Sequence, residues 1–144
     1  MKPHFETLSD IRIHNFLCVI EESSAYEAAM MLLESDFHGM PVLSANGALV
    51  GKVTEMNLLR ALKTDRRPLK QIRVQEIMEP PPPMVGPETS LERATEIMDA
   101  HRLLRLPVFR AGRFVGNLTR HDLLRAWLGT SLFSEKDGPA HVIG

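Results

Sequence analysis

Two segments of the chain, Gly51-Lys52-Val53-Thr54-Glu55-Met56-Asn57 and Gly116-Asn117-Leu118-Thr119-Arg120-His121-Asp122, place a glycine, a threonine and a hydrogen-bonding side chain at the same spacing. The duplication runs far beyond them. Ile11, Ser24, Ala28, Pro41 and Val42 recur at one offset as Ile77, Ser90, Ala94, Pro107 and Val108. Past a turn the offset shortens by one, and Gly47, Val50, Leu58, Leu59, Arg60 and Ala61 recur as Gly112, Val115, Leu123, Leu124, Arg125 and Ala126. One deletion in a turn explains the slip, because turn length varies freely where core spacing does not. With 144 residues, each half is of a size that rarely sustains a core alone, which favours two repeats sharing one core and a dimer.

Within the first repeat, Leu17 to Ile20 predicts a short buried strand, and Ser23-Ser24 predicts a helix start. Ala25, Ala28, Ala29 and Leu32 then mark one helical face, with Gly39 expected as the stop. Pro41 to Leu43 and Leu49 to Val53 flank Asn46-Gly47, a hairpin signal because both turn residues accept positive φ. Thr54 is expected to cap a second helix carrying Leu58, Leu59 and Leu62. The second repeat follows the same plan, with a strand near Met84-Val85, a helix from Ser90, a hairpin at Ala111-Gly112 and a last helix from Thr119 to Leu128, stopped by Gly129. The expected organisation is a first repeat over 8–62, a connector over 63–79 with a helical turn at Val74 to Met78, a second repeat over 74–128, and a flexible tail over 129–144. Pro80 to Pro83 read as a stiff lead into the next strand, or as a ligand for a proline-binding partner.

Lys+Arg 17 against Asp+Glu 18, with no long run of either sign, disfavours direct nucleic-acid binding. No apolar run is long enough to span a bilayer, and none resembles a signal peptide, so a cytoplasmic protein without membrane insertion is expected. The single Cys18 cannot form an internal disulfide and lies in an apolar run, as a small buried hydrophobe would. The six histidines show no paired metal-ligand spacing, and no phosphate-loop lysine or nucleophile elbow is present. These absences argue against an enzyme and against a metal site.

At Gly116 a strand entering a helix is expected to leave room for a ligand to approach the backbone, and the helix start at Thr119 offers N–H groups that favour anions. Asp122 can accept two hydrogen bonds at once, which suits a vicinal diol. The same spacing also suits plain helix capping, with the carboxylate favoured by the helix dipole. Both readings stand for Asp122. Asn57 keeps the hydrogen bonding in the first repeat and lacks the charge, which makes that site the weaker of the two.

The βαββα unit with its x-Pro-Val strand, Gly-x-Val/Leu-Thr-x-x-Asn/Asp segment and Leu-Leu-Arg-Ala helix resembles the CBS domain, named after cystathionine beta-synthase, and two in tandem resemble a Bateman module. The resemblance covers Leu8 to Leu128. It implies an α+β fold in which two CBS repeats pack through their sheets with pseudo-twofold symmetry and leave two clefts. It further implies a homodimer and a regulatory ligand bearing adenosine: AMP, ADP, ATP or S-adenosylmethionine, with no obligatory cofactor. By the same resemblance Thr119 and Thr54 would contact ribose or phosphate, Asp122 and Asn57 the ribose hydroxyls, and Arg105 a phosphate. Arg105 also reads as a solvated arginine. His38 could partly substitute for the charge that Gly39 lacks, or be simply an exposed histidine. Adenine would sit against Met84, Val85 and Gly86 in the second repeat and against Cys18 to Ile20 in the first. The expected function is a stand-alone nucleotide-sensing module that acts on an unknown protein target in trans; the alternative is a ligand-free dimeric scaffold.

Overall fold

The computed structural model describes residues 6–129 and 141–144. The chain forms two compact units, and their boundaries cut across the sequence repeats: one spans Leu17–Pro82, and the other combines Met1–Phe16 with Pro83–Gly144. The second repeat therefore completes its core with the segment that precedes the first, and the first completes its own with the connector.

In the unit built on the first repeat, the order is β2 (Val19–Ile20), α1 (Ala25–Ser35), β3 (Gly39–Leu43), β4 (Leu49–Thr54), α2 (Glu55–Thr64) and α3 (Val74–Ile77). The sheet runs β2-β3-β4, with β2 parallel to β3 and β3 antiparallel to β4. Ser24 caps α1 by accepting a hydrogen bond from Glu27 N. Ala25, Ala28 and Leu32 are buried on the face that their spacing marked out. The helix does not run to Gly39. It ends at Asp36, whose φ of 60° is left-handed, a conformation that Asp tolerates better than most residues. Gly39 is instead the first residue of β3, where a β-carbon would lie 3.2 Å from Thr54 Cγ2 and from Val53 O. The connector wraps this unit: Ala25 N donates to Ile72 O, Val74 N to Ser23 O, and Ile72 and Val74 are fully buried. Arg67 pins the wrap by bonding Asp65 at 2.8 Å and Glu76 at 2.9 Å. Its guanidinium holds both carboxyls below their usual range, with backbone hydrogen bonds contributing, the one from Arg73 foremost at Glu76.

In the other unit, α4 (Leu91–His101), β5 (Arg105–Arg110), β6 (Arg113–Thr119) and α5 (Arg120–Leu128) follow Val85, which pairs in parallel with Val108 as Val19 pairs with Val42. The hairpin between β5 and β6 turns through Ala111 (φ 51°) and Gly112 (φ 76°), the left-handed pair that a two-residue hairpin requires. Arg102 ends α4 in the left-handed form, as Asp36 ends α1. Leu8, Ile11 and Ile13, from a 3-10 turn (Leu8–Asp10) and β1 (Arg12–Ile13), lie in the same core as Leu106, Val108 and Leu118.

The end of the chain departs from a flexible tail. Residues 130–140 lie outside the described residues, but β7 (His141–Val142) pairs antiparallel with β1, and Ile143 is fully buried in the core. Within this strand pair Ile143 supplies the apolar burial, and Val142 stays exposed.

Candidate helix-start sites in the two repeats

Each repeat brings its threonine and the side chain three residues on into a reciprocal capping box. Thr54 N donates to Asn57 Oδ1 at 2.8 Å and Asn57 N to Thr54 Oγ1 at 3.2 Å. Thr119 N donates to Asp122 Oδ2 at 2.8 Å and Asp122 N to Thr119 Oγ1 at 3.1 Å. Both helix starts are thus satisfied from within, and Asn57 and Asp122 are both buried. The strand partners are equivalent as well: Thr54 lies opposite Gly39, and Thr119 opposite Arg105. Arg105 is therefore the strand partner of Thr119, at the corner where β6 ends and Asp122 caps α5.

The two corners differ in charge. Asp122 Oδ1 accepts from Arg125 Nη1 at 3.3 Å, and Arg125 is itself largely covered. Burial pushes the Asp122 carboxyl above its usual range, against the opposing pull of the Thr119 hydrogen bonds, Arg125 and His14. Burial also pushes the Arg105 guanidinium down. In the first repeat, Thr54 Oγ1 lies 3.4 Å from Glu79 Oε2, and Arg60, at the position equivalent to Arg125, is exposed. His38 bonds Glu55 through Nδ1 at 2.6 Å, an exposed pair beside the α2 start. Sequence reasoning passed over Arg125 and Glu79. Arg125 stands three residues after Asp122, a helical-neighbour spacing that was readable; Glu79 sits in the connector, outside any motif.

The space beside the two glycines is not open. A β-carbon on Gly116 would lie 2.5 Å from Ile13 Cδ1 and 3.1 Å from Asn15 O, and one on Gly51 would lie 2.7 Å from Met78 Sδ and 2.8 Å from Glu79 O. Where a ligand was expected at Gly116, the chain's own preceding segment packs, and Asn117 N donates to Asn15 O at 2.7 Å. Lys52 and Glu79 exchange two such bonds at the equivalent place in the first repeat. The glycines serve this close approach of backbone to backbone.

The residues assigned to an adenine slot lie across the neighbouring strand from these corners. Val85 donates to Pro107 O and accepts from Phe109 N, with its side chain in the core, while Met84 is 57% exposed. Gly86 N donates to Thr89 Oγ1 at 3.1 Å. Cys18 is half-buried, which raises its thiol pKa, and Ile20 is exposed. Val85 pairs with Val108 of β5, and β5 pairs with β6, so one strand lies between Met84–Gly86 and the strand that leads to Thr119. Among the described residues, no group of three or more His, Cys, Asp or Glu could hold a metal ion, and no helix is long and apolar enough to cross a membrane.

The model of the CBS domain matches residues 8–64 and 74–129. The chain belongs to the CBS domain family. As a tandem pair of CBS repeats, it is a Bateman module. It is 30% identical over 140 residues to the CBS domain-containing protein CBSX2, chloroplastic, of Arabidopsis thaliana, covering 78% of this chain and 59% of that one. The crystal structure of CBSX2 from Arabidopsis thaliana superposes with a TM-score of 0.73 at 30% identity, covering 86% of this chain and 95% of the other. CBSX2 solved in complex with AMP gives a TM-score of 0.70 at 31% identity, covering 87% and 98%. A homoserine O-acetyltransferase of Methanohalobium evestigatum is 29% identical over 119 residues, covering 82% of this chain and 23% of that enzyme. The chain thus spans about a quarter of the length of the curated relatives it first matches.

Proposed function

We propose that this Bateman module is regulatory rather than catalytic, binds an adenosine-bearing ligand at the second repeat, and signals by a change in conformation. The likeness to CBSX2, a protein solved with AMP bound, carries this reading. The Thr119–Asp122–Arg105 corner supports the choice of repeat, because it alone of the two combines a buried carboxylate with a basic side chain opposite the threonine. The carboxylate would accept the ribose hydroxyls once Arg125 yields its 3.3 Å contact, and Arg105 would pair with phosphate. Such a ligand switches the module only through a difference in affinity between two conformations, for which about 1 to 3 kcal/mol suffices.

A homodimer acting on a protein target in trans belongs to the same proposal. It is supported by exposed leucines on the two helices that follow the capping boxes: Leu59 and Leu62 on α2, and Leu124 and Leu128 on α5. A reducing, cytoplasmic setting suits the single cysteine.

The second reading, a ligand-free scaffold, is favoured by a specific observation: both capping boxes are completed, and both glycines covered, by the chain's own residues. Calorimetric titration with AMP, ADP, ATP and S-adenosylmethionine separates the two. The expected result is binding by wild type that Asp122→Asn weakens tenfold or more, about 1.4 kcal/mol. Asparagine is the informative substitution because Asn57 already shows that it preserves the cap. No binding of any of the four by the folded protein would leave the scaffold.

A further inference from the structure

The segment Leu8 to Phe16 is held on the second repeat from two sides. On one side, Asn117 N donates to Asn15 O at 2.7 Å and Asn117 Nδ2 to Asn15 Oδ1 at 3.1 Å. On the other lies His141–Gly144. Ile143 N donates to Ile11 O at 2.9 Å, Gly144 N to Ser9 O at 2.8 Å, and the His141 ring meets Phe16 edge-on at 5.1 Å. Arg110 Nη1 in turn donates to Ile143 O at 3.2 Å.

A two-residue strand pair is too short to be stable by itself. What fastens it is the single fully buried side chain of Ile143, with Val142 and His141 left exposed. That is the build of a latch: one apolar anchor, a few backbone bonds, and little else to lose. The latched segment is also what fills the space beside Gly116, three residues before Thr119.

We propose that His141–Gly144 is a releasable clip that holds Leu8–Phe16 over the β6 face of the second repeat and so sets access to the Thr119–Asp122 corner. With the clip seated, Ile13 and Phe16 cover Gly116. With it released, the segment keeps the bond from Leu8 N to Thr89 O, its bonds along β6 and the buried side chains of Leu8, Ile11 and Ile13, but loses the cover of Ile143, and its Asn15–Phe16 end opens more often. The link to ligand access rests on the function proposed above; the clip itself does not.

Arg12 and Val142 are directly opposite in the β1–β7 pair and both are exposed. The bond from Ile143 N to Ile11 O makes theirs a non-hydrogen-bonded pair, the closer kind across antiparallel strands. Arg12→Cys with Val142→Cys, in a Cys18→Ser background, gives one protein whose clip is locked when oxidised and free when reduced. Hydrogen exchange by mass spectrometry is read on peptides covering 8–16 and 115–118, and AMP is titrated into both forms. Oxidation is expected to slow exchange of 8–16 by about tenfold or more and to weaken AMP binding by about fivefold; deletion of 141–144 should move both the other way. Failure of the disulfide to form, or equal exchange of 8–16 in the two forms, would overturn the clip. Slowed exchange with equal AMP affinity would overturn its control of access. If AMP binds neither form, the nucleotide reading fails while exchange still decides the clip. Should the deletion unfold the unit, the oxidised and reduced forms of the cysteine pair decide alone.

Discussion

In the first repeat Asn57 closes the capping box with Glu79 as the nearby carboxylate, whereas in the second Asp122 closes the same box at the same 2.8 Å with Arg125 as its partner. The two helix starts make the same reciprocal pair of bonds, so the cap explains why the motif occurs twice. It does not explain the charge. A neutral asparagine makes the cap equally well, while a carboxylate buried to 4% exposure is destabilised by desolvation even with Arg125 beside it. The second repeat thus carries a group that costs stability and that its sister shows to be dispensable for structure. Costs of this kind concentrate at functional sites.

The shared part of the comparison breaks most severely at the glycines. Gly116→Ala places a β-carbon against Ile13 at a φ of +145°, and should cost about 3 kcal/mol in urea unfolding. Gly51→Ala meets the flexible Met78 side chain but also Glu79 O, and should cost about 2 kcal/mol by the same measurement.

Exchanging the third side chain sharpens the contrast. Asn57→Asp would bury a carboxylate near Glu79 with an exposed Arg60 on the equivalent turn, and should lose about 2 kcal/mol at pH 7. The first repeat is therefore more than one substitution away from the second. Asp122→Asn should do the reverse and raise the melting temperature at neutral pH. The raised folded-state pKa of Asp122 means that wild type is best off with the group protonated, and loses stability as pH rises from the unfolded carboxylate value through the higher folded one. The asparagine variant lacks that loss, so the gap between the two melting curves should widen from acid to neutral pH. A gap that is constant with pH would mean that Arg125 and Thr119 compensate the burial in full.

Smaller effects follow at the threonines. Thr54→Ala and Thr119→Ala should each cost about 1 kcal/mol, the usual value of an N-cap, and to the same extent in both repeats. His38→Ala, which removes only an exposed pair with Glu55, should change unfolding by less than about 0.5 kcal/mol.

Much of this was legible beforehand. Ala111-Gly112, Ser24, Ser90, Thr54 and Thr119 act where their local chemistry placed them, because turns and caps are decided by the few residues that form them, whereas in the first hairpin only Gly47 (φ 88°) takes a positive φ and Asn46 does not, the turn closing from Ser44 to Ala48. The stop of α1 was misplaced because Gly39 is the conspicuous residue, whereas Asp36 and Arg102 adopt the left-handed form in both repeats without a glycine to announce it. The partners of Gly51 and Gly116 were not legible at all. A glycine reports that something comes close, and whether it is a ligand, Met78 or Ile13 depends on contacts distant along the chain. The same holds for Ile143, whose burial in a core begun at Leu8 has no periodicity to betray it.

The exchange of segments also orders events during synthesis. The unit built on the first repeat is one continuous segment, Leu17–Pro82, so its contacts all lie close along the chain. The other unit must join Asn15 to Asn117, a separation of 102 residues, and its core takes in Ile143 last of all. Until Ile143 joins, the core that Leu8, Ile11 and Ile13 enter is incomplete. Of the two cores, the one that joins Asn15 to Asn117 is therefore expected to close second.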